Sequence, residues 1–315
     1  MGAAMLMSGW SGRLRLLSVC SLGTLLWLAS LTGCTSQRAD GDRIIVVTTI
    51  LPLAGFIEAV GGDRVEAVVM VPPGASPHTY EVTPAQMVLV SRAAMYAAVG
   101  TPVEFELAWM DKLAASNPDM LVVDCSVGIE LMYAGQEVDH GEDVPDGAGE
   151  VHEHEGTDPH IWLSVKNAQV MVSHICDGLV EVDPQNTDHY RANCAAYLKD
   201  LSALDQELQR ALEALEVRQF VVFHPAFGYL ARDYDLEQIP VEKGGNEPDA
   251  AYIIRVIEEA KENGIRVVFA APQFSTRSAE IIADEIGGEV VLIDSLPKDY
   301  IGNMRMIAAA LTAGA

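Results

Sequence analysis

PQNTDHYRANCAAYLKDLSALDQELQRALEAL, running from Pro184 to Leu215, is the stretch on which the reading of the fold turns. Tyr190, Cys194, Tyr197, Leu201, Leu204, Leu208 and Leu212 recur at three- and four-residue intervals, with Asp, Glu, Lys and Gln between them. That is the period of a helix with one apolar face. A helix of about 30 residues spans about 45 Å, long enough to cross a whole lobe as a stiff connector. A coiled-coil dimer is the competing explanation, and the short, irregular heptads weigh against it.

On either side of this segment, short β-branched runs alternate with helical ones. Upstream, Ile44 to Thr48, Arg64 to Val71, Ala94 to Val99 and Met120 to Val123 read as strands. Leu53 to Val60 and Pro102 to Ala115 read as helices, and Thr83 caps a further one that starts at Pro84. Downstream, Gln219 to Phe223, Leu236 to Val241, Arg266 to Ala270 and Val290 to Ile293 are strands, with helices over Pro248 to Glu262 and Ser275 to Ile286. Such alternation predicts the α/β class, a parallel sheet with helices on both faces. Ligands bind beyond the carboxyl ends of strands in such sheets, which is where His224 and Asp294 stand.

Three of the eight histidines adjoin a proline: Pro77-His78, Pro159-His160 and His224-Pro225. Each sits where an apolar run meets a turn, so each imidazole is held at the mouth of a rigid element. Neutral imidazole is a common ligand for zinc and related ions, and a fixed backbone lowers the entropy lost on coordination. The three together suggest one assembled metal site.

The amino terminus carries Arg13 and Arg15, then the apolar stretch Leu14 to Leu31, the pattern of a secretory signal. An uncleaved membrane anchor is the other reading. Leu31-Thr32-Gly33-Cys34 resembles the lipobox of prokaryotic lipoproteins, which implies lipid on Cys34 and a location outside the cytoplasmic membrane. The net charge is -25, and removal of the two signal arginines makes it -27. Nucleic acid and anionic membrane are therefore disfavoured as partners, and a cation is the electrostatic match. Cys125, Cys176 and Cys194 remain, an odd number that argues against a complete disulfide framework and has no zinc-motif spacing; they read as buried small apolar residues, with oxidation of one unspecified pair outside the cell as the alternative.

Several segments are similar to the substrate-binding lipoproteins of zinc and manganese ABC transporters. They are Pro77-His78-Thr79-Tyr80-Glu81-Val82-Thr83-Pro84, Asp158-Pro159-His160-Ile161-Trp162-Leu163 and Phe223-His224-Pro225-Ala226-Phe227-Gly228-Tyr229. Pro272-Gln273-Phe274-Ser275, Ile293-Asp294-Ser295-Leu296 and Asp299-Tyr300 carry it further. The resemblance implies two α/β lobes, each a mainly parallel sheet flanked by helices, joined by one long helix. Together with the amino-terminal signal pattern and the polar stretch after it, it divides the chain into a signal peptide at 1–33, a tether at 34–43, a first lobe at 44–180, the connecting helix at 181–216 and a second lobe at 217–315. It also implies a metal held between the lobes by His78, His160, His224 and Asp294. Ser164, Ala271 and Ser295 depart from the family pattern, at positions that bear on support of the site rather than on its ligands.

Three imidazoles and one carboxylate suit tetrahedral Zn²⁺, whereas Mn²⁺ favours more oxygen ligands. Residues 137–155 hold eight acidic residues, His140, His152 and His154, and no Lys or Arg. This composition cannot bury a core and reads as a loop, either a weak zinc collector or a solvated charge run. His174 and His189 are read as surface residues, Glu81 as a structural residue near His78, and Trp162 and Phe227 as packing around the ligands. The expected function is a monomeric extracytoplasmic zinc receptor that delivers Zn²⁺ to an ABC permease with a cytoplasmic ATPase. A manganese or iron receptor is the alternative. A zinc hydrolase is disfavoured, because four protein ligands fill the sphere that catalysis needs open.

Overall fold

The computed structural model describes residues 43–133, 156–242 and 248–314. Strands β1 (Ile44–Thr48), β2 (Val65–Val69), β3 (Met95–Ala98) and β4 (Leu121–Asp124) form one sheet in the order β2-β1-β3-β4. Strands β5 (Gln219–Val222), β6 (Glu237–Pro240), β7 (Val267–Ala270) and β8 (Glu289–Leu292) repeat that order, β6-β5-β7-β8, in a second sheet. Every pairing is parallel. Central β3 and β7 are buried along their whole length, as strands covered on both faces must be, whereas edge strand β4 alternates between half-buried and exposed. In each sheet the chain winds first to one side and then to the other, which opens a crevice at the carboxyl ends of β1 and β3 and of β5 and β7.

Helices α1 (Leu51–Gly61), α2 (Pro84–Val90), α3 (Glu104–Ser116) and α4 (Val165–Val182) accompany the first sheet. Thr83 caps α2 through a reciprocal box with Gln86, as the sequence predicts. The long amphipathic segment is α5 (Thr187–Glu213), 27 residues and about 40 Å long. It buries Tyr190, Cys194, Leu201, Leu204, Leu208 and Leu212, the same stripe that the sequence shows, with Tyr197 partly buried beside it. Helices α6 (Gly228–Asp233), α7 (Ala250–Glu262), α8 (Arg277–Ile286) and α9 (Tyr300–Ala313) complete the described chain.

One continuous core joins the first sheet and α1, α4 and α5 to α6, α9 and one face of the second sheet, including Phe220, Val222 and Phe269. A smaller core of Val221, Val268, Val256 and Ile282 lies on the opposite face, under α7 and α8. The C-terminal helix reaches back toward the start of the chain. Tyr300 meets the ring of Phe56 edge-on at 5.0 Å, and Lys298 pairs with Glu58. The lobes are thus distinct as sheets and continuous as a core. Residues 1–42, with Cys34, and His140, His152 and His154 lie outside the described residues.

Candidate metal centre

His78 lies in the loop after β2, His160 just before α4, and His224 in the turn after β5. Tertiary structure brings all three together: their ligand nitrogens lie within 4.8 Å of one another. The ring centroids are 5.1 Å apart for His78–His224 and His160–His224, and 6.1 Å apart for His78–His160. His160 and His224 side chains are 8% and 10% exposed, against 24% for His78, so His78 sits on the solvent side.

Each imidazole is held at its Nδ1 by a different carboxylate. Glu104 Oε2 is 2.7 Å from His78, Asp158 Oδ1 is 2.8 Å from His160, and Glu242 Oε2 is 2.9 Å from His224. An ionised carboxylate only accepts, so each Nδ1 carries the proton and donates it. The Nε2 lone pairs are left free to coordinate. His160 Nε2 and His224 Nε2 stand 3.2 Å apart. Two neutral nitrogens facing each other in this way repel, whereas a tetrahedral zinc with bonds of about 2.0–2.1 Å requires a separation of about 3.3 Å. The donor chemistry and the spacing therefore fit a zinc ion.

The supports are anchored in turn. Glu104 is the first residue of α3. Asp158 also accepts from the His160 backbone at 2.9 Å, while Tyr229 and Thr101 donate to the carbonyls of Asp158 and Pro159. Glu242 follows β6 and donates its backbone N–H to Phe223, beside His224. Phe274 stacks on His224 at 4.6 Å, and Trp162 meets the His160 ring at 5.3 Å while donating to Ser295 O. These groups and Leu296 line a small cleft over the imidazoles. Burial pulls the His224 pKa below its ordinary value, since Glu242 only partly offsets the desolvation and His160 and His78 oppose a charge there. Burial alone would push Glu104 upward, but the hydrogen bond from His78 and the neighbouring imidazoles hold it below the usual range.

Asp294 stands at the carboxyl end of β8, where the sequence puts it, but outside the group of mutually close ligand atoms among the described residues. Its Oδ1 accepts from Gln273 Nε2 and from the Leu296 backbone, both at 2.9 Å. The three supporting carboxylates are what the sequence reading missed. Asp158 and Glu242 had a signal, being beside a ligand candidate and at a strand end respectively, but Glu104 is 26 residues from its histidine. Glu81, read as a structural residue near His78, is exposed, and the carboxylate that meets the His78 ring is Glu104. His174 and His189 contact the backbone carbonyls of Val127 and Gly61, away from the cleft. Ser164 caps α4 and donates to Asp233, so this departure from the family pattern is a satisfied one.

These contacts give a direct expectation. Glu242→Gln or Asp158→Asn lowers zinc affinity by about 10–100-fold with the fold intact, because ring orientation and basicity depend on the acceptor at Nδ1. Chelator competition measures it; equal affinity in both variants would make the carboxylates mere neighbours.

A model for a protein family described as zinc-uptake complex component A, periplasmic, matches residues 46–314. The chain belongs to this zinc-uptake family. Among its relatives, the high-affinity zinc uptake system protein ZnuA of Bacillus subtilis (strain 168) is 31% identical over 293 residues, 91% of this chain and 88% of that protein. A putative metal-binding protein of Treponema pallidum (strain Nichols) is 31% identical over 294 residues, 89% of each. Among solved family structures, a crystal structure of ZnuA aligns with a TM-score of 0.78 at 39% identity, covering 87% of this chain and 99% of that one. Zn(II)-bound AdcA from Streptococcus pneumoniae aligns with a TM-score of 0.69 at 25% identity, over 87% of this chain and 58% of its own. The two-sheet, long-helix architecture expected from sequence is the architecture of this zinc-uptake family.

Proposed function

We propose that this protein is an extracytoplasmic zinc receptor whose cargo ion is bound by Nε2 of His78, His160 and His224. The observation that carries the reading is the convergence of three imidazoles, each with its Nδ1 committed to a carboxylate. Membership of a zinc-uptake family makes the chain a transport component and not an enzyme. Asp294 is the fourth ligand in this reading. Its Oδ1 is engaged, so it reaches the ion by turning its carboxylate from the position seen here or through its other oxygen. Cys34 carries the lipid that tethers the monomer outside the membrane, and the cleft hands the ion to a permease driven by a cytoplasmic ATPase. The segment 137–155, with His140, His152 and His154, is a weak collector whose deletion leaves tight binding in place.

Nitrogen-rich ligation favours Zn²⁺ over Mn²⁺, since manganese prefers more oxygen donors and a higher coordination number. The expected result of offering the metal-free protein both ions in equal amounts is zinc occupancy, read by elemental analysis after desalting. Predominant manganese would overturn the cargo assignment and move the protein to a manganese receptor of the same transporter class.

A further inference from the structure

Cys176 on α4 and Cys194 on α5 have no part in the zinc site. The two helices are joined by a single 3-10 turn, Pro184–Asn186, and such short connections make antiparallel neighbours. Each cysteine is seven residues from its end of this turn, Cys176 from Asp183 and Cys194 from Thr187, so the hairpin sets them opposite one another. Each thiol perturbs the titration of the other, as neighbours do. Cys176 Sγ also lies 3.8 Å from the carbonyl of Tyr190, one helical turn before Cys194. Both are buried, at 4% and 7% exposure, and both are thiols here. Cys125 is fully buried at the end of β4 beside Glu106 and Asp124.

We propose that Cys176 and Cys194 are a modification site, closing a disulfide that staples α4 to α5 in the mature protein. The inference rests on the extracytoplasmic reading, since such bonds persist in oxidising compartments. The oxidant is a disulfide-bearing thiol carrier, protein or glutathione. One cysteine thiolate attacks the carrier's S–S bond and forms a mixed disulfide, and the second cysteine displaces the remaining carrier thiol. The Cys176–Cys194 bond forms, the carrier bond breaks, and the two electrons and two protons leave on the carrier as two thiols.

Burial pushes the Cys176 thiol up to about 12, so the packed hairpin offers little thiolate. Exchange therefore takes place while the hairpin is open, during folding after export, and the closed bond is then shielded from reductants. The staple fastens α4, which begins five residues after His160 and directly after its cap Ser164, to the helix that spans the shared core. It thus stiffens the platform under one ligand without touching the ion.

The test refolds the full chain in a glutathione redox buffer, alkylates free thiols and maps the peptides. A cross-linked pair of peptides holding Cys176 and Cys194 is expected, with Cys125 alkylated. The unfolding equilibrium constant of the oxidised protein falls on the order of 100-fold below that of the reduced one, as for a loop of this size. Cys194→Ser removes the cross-link and this difference. If that variant does not fold, the comparison of reduced and oxidised wild type decides alone. Alkylation of both cysteines after oxidative refolding, or linkage to another cysteine, overturns the proposal. Cross-linking in the refolded protein with free thiols in protein taken from cells upholds the pairing and overturns the extracytoplasmic reading beneath it. Zinc titration of both forms remains an independent measure of the metal reading.

Discussion

Replacing His224 by alanine is expected to lower zinc affinity by on the order of 100- to 1,000-fold. Apparent zinc-binding free energies of about 10–16 kcal/mol, spread over four ligands, amount to about 3 kcal/mol for each. His224 is a good choice for the test because its position is so strongly determined. It leaves the end of β5 in the crevice between β5 and β7, its Nδ1 is fixed on Glu242, and its ring is stacked on Phe274. Its loss also removes from the Glu242 side chain, 8% exposed, the side-chain donor that it has among the described residues. That carries a stability penalty of about 1–3 kcal/mol, separable from affinity by a denaturant titration of the metal-free variant. Competition against a chelator of known strength gives the affinity itself. A variant that binds zinc as tightly as the wild type would remove His224 from the ligand set.

Acidification has the second large expected effect. Zinc requires each imidazole to present a bare Nε2, so a proton there competes with the ion. For every ligand that must shed a proton, apparent affinity falls by about tenfold per pH unit once the pH is below that group's pKa. The loss steepens with the number of ligands that must shed a proton for the ion to bind. His224 enters this competition late, because burial lowers its pKa below the ordinary imidazole value. The same shift fixes the sign for the metal-free protein. Well above about pH 6.5 neither the folded nor the unfolded state charges this ring, and its full contribution to stability is present. As pH falls, the unfolded chain takes up the proton first, and stability declines until the lower folded value has been passed. Zinc titrations from pH 5 to 8, paired with unfolding curves of the metal-free protein, test both statements. An affinity independent of pH across that range would rule out a histidine site.

Much of this was legible in the chain because periodicity is a local property. The stripe from Tyr190 to Leu212 is the buried face of α5, with only Tyr197 less covered than the pattern suggests. The β-branched runs become the eight strands with shifts of one or two residues at their ends, and the Thr83 cap is where Thr83 and Pro84 announce it. Short α6 was not read, since Gly228 and Tyr229 carry no helical period. Nor was α9, although Tyr300 belongs to a motif of the family resemblance.

The candidate site divides along the same line. Proline beside each histidine marks a turn at the end of an apolar run, so His78, His160 and His224 are distinguishable from His174 and His189 without coordinates. The sequence by itself therefore determined the α/β class, the connecting helix and the three imidazoles. Only the tertiary structure decided that Glu104, Asp158 and Glu242 each hold one ring, that Asp294 is engaged by Gln273 and Leu296, and that Cys176 on α4 meets the carbonyl of Tyr190 on α5. The physical reason is range. Period and turn chemistry act over a few residues and are written locally, whereas a hydrogen bond between groups 26 residues apart exists only after the sheets and helices have packed.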